Sequence, residues 1–97
     1  ANLTNLTRLY LNNNQIADVA SLASLTNLTQ LYLWDNRIED ITPLSSLENL
    51  TRLSLDFNQI EDVSSLASLT NLTELSLDGN PLEDRTCPVQ PESICLF

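Results

Sequence analysis

Ninety-seven residues with four Arg, no Lys and thirteen acids carry a net charge of −9, which sets the chain against phosphate backbones and anionic membrane surfaces. The absence of His removes His-dependent triads and His metal sites, and a single Gly, Gly79, removes glycine-rich phosphate loops. The length fits one domain whose core is too small to be generously stable as a simple globule, and no apolar run approaches the ~18 residues needed to span a bilayer.

Neither a secretory signal nor an initiator Met is present, so the sequence reads as processed, excised or engineered. From Leu6 onward it repeats every 22 residues. The opening "ANLTNLTRLYL" enters directly at repeat phase, which predicts a strand over 8–12 with an open edge. That edge offers itself to self-association, unless the chain is cut from a longer array. Leu9 and Leu11 point inward and the residues between them outward. Asn14 then ends the strand at a bend, where its amide serves backbone groups without a sheet partner. Asp18 suits an Asx-type turn, and the short return segment 20–25 suits one turn of 3-10 helix.

The second unit, "LTNLTQLYLWDNRIEDITPLSS", keeps every phase, with strand leucines Leu31 and Leu33, bend Asn36 and turn Asp40. Thr42 and Pro43 read as N-cap and first helical position of the return segment 42–47. The third unit repeats the pattern through Leu53, Leu55, Asn58, Asp62 and 64–69, and the fourth through Leu75, Leu77, Asn80 and Asp84. The four asparagines Asn14, Asn36, Asn58 and Asn80 read as a structural ladder. One unit alone cannot offset the entropy of ordering itself, so stability belongs to the stack.

The repeat LxxLxLxxNxL resembles the 22-residue bacterial leucine-rich repeat class, internalin-like and SDS22-like, over about residues 3 to 84. The resemblance implies an α/β fold: a right-handed, curved leucine-rich repeat solenoid with short parallel strands on the concave face and 3-10 turns on the convex face. It also implies a binding role for the concave face. The expected organisation is residues 1–84 as four repeats, about 3–25, 26–47, 48–69 and 70–84, with 85–97 as a C-terminal cap. In that cap Arg85, Pro88 and Pro91 replace repeat apolar residues. Ile94 and Phe97 fall 22 residues after Leu72 and Leu75, so "ESICLF" reads as a fifth strand held in repeat phase.

Cys87 and Cys95 are the only cysteines. A disulfide between them would clip the cap and favour an extracellular or cell-surface address, whereas free structural thiols would fit the cytoplasm. Two thiolates without His fall short of a zinc shell, so no metal is expected. The triplet "NLT" recurs at 2–4, 5–7, 27–29, 49–51 and 71–73 and matches a glycosylation sequon, but its repeat phase marks it as structural.

Strand alternation displays Arg8, Gln30, Arg52 and Glu74 in one column, Tyr10, Tyr32, Ser54 and Ser76 in a second, and Asn12, Trp34, Asp56 and Asp78 in a third. Asn13, Asp35, Phe57 and Gly79 stand at the strand exits. Asp56 and Asp78 share a phase, yet an open sheet supplies no dry cleft to make them a catalytic pair. No enzyme activity and no cofactor are expected. Two readings attach to the rings: cross-strand packing, or a hot-spot patch for a partner protein made of Arg8, Tyr10, Tyr32, Trp34, Asp35, Arg52, Asp56 and Phe57. The expected function is therefore protein–protein interaction, without nucleic acid or membrane insertion. A structural array segment or consensus-like engineered scaffold is one alternative, and a carbohydrate-binding module is another.

Overall fold

A computed structural model describes residues 5–97. Its five strands, β1 (Arg8–Tyr10), β2 (Gln30–Tyr32), β3 (Arg52–Ser54), β4 (Glu74–Ser76) and β5 (Cys95–Leu96), form one parallel sheet in chain order. Between them run 3-10 turns at Ala20–Ser24, Thr42–Ser46 and Ser64–Ser68, and a shorter one at Glu92–Ile94. The described residues contain no α-helix. The chain is a leucine-rich repeat solenoid in which one apolar core cluster lies between the sheet and the 3-10 side.

That layer is the repeat grammar made solid. Leu31, Leu33, Ile38, Leu44, Leu47, Leu50, Leu53, Leu55, Ile60, Leu66 and Leu69 are completely buried. Their first-repeat equivalents Leu6, Leu9, Leu11, Ile16 and Leu22 are only half-buried, because a single neighbouring repeat covers them. β1 is three residues long rather than the five expected, and it forms one border of the sheet. The first NLT triplet, residues 2–4, lies outside the described residues.

Polar groups are stacked as strictly as apolar ones. Asn58 Nδ2 donates to the carbonyls of Leu55 at 3.0 Å in its own bend and Leu33 at 3.0 Å in the previous one. Its Oδ1 accepts from Ile38 N–H at 3.1 Å. Asn36 and Asn80 repeat the arrangement, and all three side chains are buried; Asn14, in the border repeat of the described sheet, is exposed. The NLT motifs form further ladders. Thr29, Thr51 and Thr73 each donate a hydroxyl hydrogen to the threonine carbonyl one repeat earlier, and Asn49 and Asn71 donate to Thr26 and Glu48. These residues recur because the fold uses both ends of the triplet.

The Asx turns form as expected. Asp18, Asp40, Asp62 and Asp84 each accept from the N–H two residues on. Thr42 departs from its expected role: it is inside the 3-10 turn, Ile41 is the cap residue without a side-chain bond, and the acceptor is Asp40. Thr42 also donates its hydroxyl hydrogen to Asp40 at 2.8 Å. Asp40 does the capping because a carboxylate reaches the turn's first N–H from two residues upstream, leaving the Thr hydroxyl to act as a second donor.

Residues 85–97, expected as a cap, contribute a fifth strand, but out of repeat phase. Leu75 pairs with Cys95 rather than with Phe97, and Leu77 N–H donates to Leu96 at 2.7 Å. The last step is thus two residues shorter than the others. Its 3-10 turn abuts the strand directly, so the link that separates turn from strand in the repeats is missing. Cys87, Val89 and Ile94 close the end of the core, and Cys87–Cys95 is a disulfide. Phe97, expected inward, is 37% exposed.

Two outcomes follow from these ladders. Asn58→Ala leaves the Ile38 N–H without its acceptor and takes one of two amide donors from the Leu33 and Leu55 carbonyls, which Asn36 and Asn80 still reach. It should cost about 2 kcal/mol, against about 1 kcal/mol or less for exposed Asn14→Ala; urea unfolding of both variants measures the contrast. Asp40 is held below the usual carboxylate range by the Thr42 N–H and then by the Thr42 hydroxyl. A depressed folded value means stability present above the unfolded pKa of about 3.9 and lost as pH falls through the lower folded value. The stability gap between the parent and Asp40→Ala, read by thermal unfolding, should therefore be open at neutral pH and narrow in acid.

Candidate functional site: the displayed sheet face

The sheet register places the three displayed columns as the alternation predicts for the first two: Arg8–Gln30–Arg52–Glu74 and Tyr10–Tyr32–Ser54–Ser76 lie side by side across the strands. The second column continues to Leu96, an exposed apolar residue contributed by the cap. Tyr10 and Tyr32 stack with ring centroids 4.6 Å apart and planes 3° from parallel. Tyr32 also donates its hydroxyl hydrogen to Gln30 Oε1 at 3.1 Å. The stack is the cross-strand pairing anticipated for these rings, and it holds them in place while Tyr10 stays 60% exposed. Arg52 and Glu74 approach only to 4.0 Å, with both side chains solvated, so the pair adds little stability.

The third column does more than its alternation suggests. Asn12 Oδ1 accepts from Trp34 N–H at 3.0 Å, and Asp56 Oδ1 accepts from Asp78 N–H at 3.0 Å. Asp56 takes a second bond, from the Ser76 hydroxyl at 2.6 Å. These residues are acceptors that hold the next repeat's strand exit. Asp56 is therefore engaged within the fold through the Asp78 backbone and the Ser76 hydroxyl. Among the described residues no three acidic or thiol groups converge as a metal site would require. Trp34 occupies the same column, and an indole offers no acceptor.

The strand exits carry a second rule. Asn13, Asp35, Phe57 and Gly79 all adopt left-handed backbone, with φ of 60°, 61°, 57° and 76°. Gly, Asn and Asp visit this region at small cost, whereas a bulky residue is strained there. Phe57 breaks the pattern, and its ring is 57% exposed. The ring lies over Gly79, where a Cβ would collide with Cδ1 and Cε1 of Phe57. The chain's one glycine thus supplies both the left-handed turn and the room for that ring.

Trp34 and Phe57 rim an open cleft of about 270 Å³ floored by Ser54, Ser76 and Asp56 and flanked by Arg52 and Glu74. Neither ring stacks on another aromatic ring. Of the residues expected to meet a partner, the structure gathers Tyr32, Trp34, Arg52, Asp56 and Phe57 around this cleft. Arg8 and Tyr10 lie on the neighbouring first strand, and Asp35 follows Trp34 at the strand exit. The sequence signals for the two hidden rules were present. Asn12, Asp56 and Asp78 all carry a side-chain oxygen, and Asn13, Asp35 and Gly79 are all left-handed formers.

If both rings are departures from what the fold prefers, restoring the repeat residue should stabilise it. Trp34→Asn supplies the missing acceptor and should add about 1 kcal/mol; Phe57→Asn should add up to about 1 kcal/mol by relieving the left-handed backbone. Urea titrations decide, and a loss of several kcal/mol in either variant would make that ring a core element.

Sequence profiles described as "Leucine Rich repeats (2 copies)", "Leucine rich repeat" and "Leucine Rich Repeat" match residues 4–46, 26–82 and 71–95. Internalin C2 of Listeria monocytogenes is 44% identical over 98% of this chain, with a TM-score of 0.88. An internalin, inlF, of the same organism is 41% identical over 84%, with a TM-score of 0.82. A leucine-rich repeat protein of Leptospira interrogans is 30% identical over 90%, with a TM-score of 0.72. The chain spans 42%, 24% and 21% of those three proteins' lengths. A search of curated proteins finds no match. Profile, repeat grammar and superposition agree: the chain belongs to the leucine-rich repeat family, and its repeats are internalin-like.

Proposed function

We propose that this chain is a protein–protein interaction module whose concave sheet face receives the partner, with no catalytic role and no cofactor. Leucine-rich repeat proteins of this kind generally mediate protein–protein contacts. The observation that carries the assignment of the face is that Trp34 lacks the oxygen with which Asn12 and Asp56 hold the next strand exit, while Phe57 takes the left-handed position that Asn13, Asp35 and Gly79 fill elsewhere, both in adjacent repeats at the rim of one cleft. Strain and forgone hydrogen bonds that serve no fold are what a binding surface leaves behind. The stacked Tyr10 and Tyr32 extend the patch with rings already ordered, so little entropy is lost when they are covered. Arg8, Arg52 and Asp35 supply a charged rim, as protein interfaces commonly have. Asp56 belongs to the site as the floor that positions the strand exit. The disulfide supports an exported address.

The test is a pull-down with the whole chain as bait, followed by affinity measurement for each captured protein. Trp34→Ala should weaken the specific partner about 30-fold, the ~2 kcal/mol of a hot-spot residue, with circular dichroism unchanged. A partner bound equally by the parent, by Trp34→Ala and by Tyr32→Ala refutes the concave-face assignment.

A further inference from the structure

The substitution at Trp34 has a second effect, on the strand exit that follows it. Trp34 N–H is capped by Asn12 and Asp78 N–H is capped by Asp56, each at 3.0 Å. The N–H between them in the same column belongs to Asp56, and the residue in register to cap it is Trp34. Among the described residues nothing accepts from Asp56 N–H. The column therefore contains one slot built for a side-chain oxygen and not filled by one. It lies in the cleft between Trp34 and Phe57.

The charges nearby restrict what fills it. Asp56 and Glu74 line the cleft as acids, Asp35 stands at the strand exit after Trp34, and Asp78 is the next residue of the third column. The carboxylates of Asp35 and Asp78 hold no hydrogen bond or ion pair among the described residues, and Arg52 is the one cation lining the cleft. A carboxylate brought to the slot would meet several like charges, whereas a neutral carbonyl would not. A cation beside that carbonyl would find Asp35 and Asp78 unpaired. The two rings, Trp34 and Phe57, provide apolar walls on either side.

Building on the concave-face reading, we infer that the occupant is an extended peptide segment of the partner. One backbone carbonyl of that segment accepts from Asp56 N–H, an apolar side chain next to it lies between Trp34 and Phe57, and an Arg or Lys beside that faces Asp35 and Asp78. The partner completes the hydrogen-bond column that Trp34 interrupts, so recognition consists of supplying the oxygen the second repeat lacks.

A random-peptide phage library panned on the immobilised chain tests this, with Trp34→Ala as the counter-target. Selected peptides should pair an aliphatic or aromatic residue with a neighbouring Arg or Lys and should exclude Asp and Glu. Titrating the strongest peptide into the isotope-labelled chain should move the Asp56 amide resonance downfield. Trp34→Asn should bind about tenfold more weakly than Trp34→Ala, because its carboxamide fills the slot as well as removing the ring. Peptides that depend on Trp34 yet leave the Asp56 amide unmoved, or that carry acidic flanks, overturn this inference and leave the concave-face reading standing. Peptides enriched equally on Trp34→Ala overturn that reading too. A library yielding nothing while a glycan array binds replaces the peptide with a sugar and overturns the inference, and silence from both overturns it as well.

Discussion

The second, third and fourth repeats of this solenoid turn out of their strands at a buried asparagine, and that amide sets the terms for the rest of the chain. At the bend, carbonyls leave the sheet before any neighbouring strand can pair them, and an unpaired buried carbonyl costs about as much as a lost hydrogen bond. Asn58 answers by reaching into its own bend and the previous one at once, while its oxygen receives the backbone of the repeat before it. The bond pattern fixes the spacing of the turns, the left-handed residue ahead of each asparagine and the register of the sheet. Leucine packing supplies the driving force; the asparagine column ensures that it has one geometry.

Against that geometry the two aromatic departures stand out as choices. A chain tuned only for stability would carry Asn or Asp in place of Trp34 and Asn, Asp or Gly in place of Phe57, as its other repeats do. The cost is local, about a hydrogen bond at one site and a strained φ at the other, and a stack of four repeats absorbs it without loss of register. Gly79 shows the accommodation directly, since it leaves space for the Phe57 ring. The Tyr10–Tyr32 stack involves no such conflict. Rings of one class thus divide into those the sheet welcomes and those it tolerates.

The fold was legible because its signal is additive: one phase error in any repeat would have bared a leucine, and no repeat of the first four makes one. The Asx turns and the short 3-10 segments were equally readable from Asp18, Asp40, Asp62 and segment length. What escaped were interactions between repeats in which a displayed residue has a hidden task. Asn12 and Asp56 look solvent-facing by alternation, yet their oxygens reach across to the next strand exit. The positive φ of Phe57 escaped for a related reason, because a residue's own identity does not announce a backbone set by its neighbours' bends. The cap misled the phase count: Ile94 and Phe97 sit 22 residues from Leu72 and Leu75, but a shorter final turn shifts the pairing so that Cys95 meets Leu75.

The ladders also bear on how such a surface is acquired. The side-chain hydrogen bonds that join neighbouring repeats span 20, 22, 23 or 25 residues, from the threonine and serine hydroxyls to the buried asparagines, and the backbone bonds recur at fixed spacings of 21, 22 or 23 up to the last step. Each complete repeat therefore presents the same donors on one side that its neighbour requires on the other. Insertion or excision of a whole repeat by unequal recombination would restore each bond in kind, while a cut of any other length would break them all. Inheritance can then treat the apolar layer and its polar ladders as one interchangeable cassette. The displayed columns travel with it, so new combinations of rings and charges are dealt out across the sheet by shuffling units rather than by altering the frame.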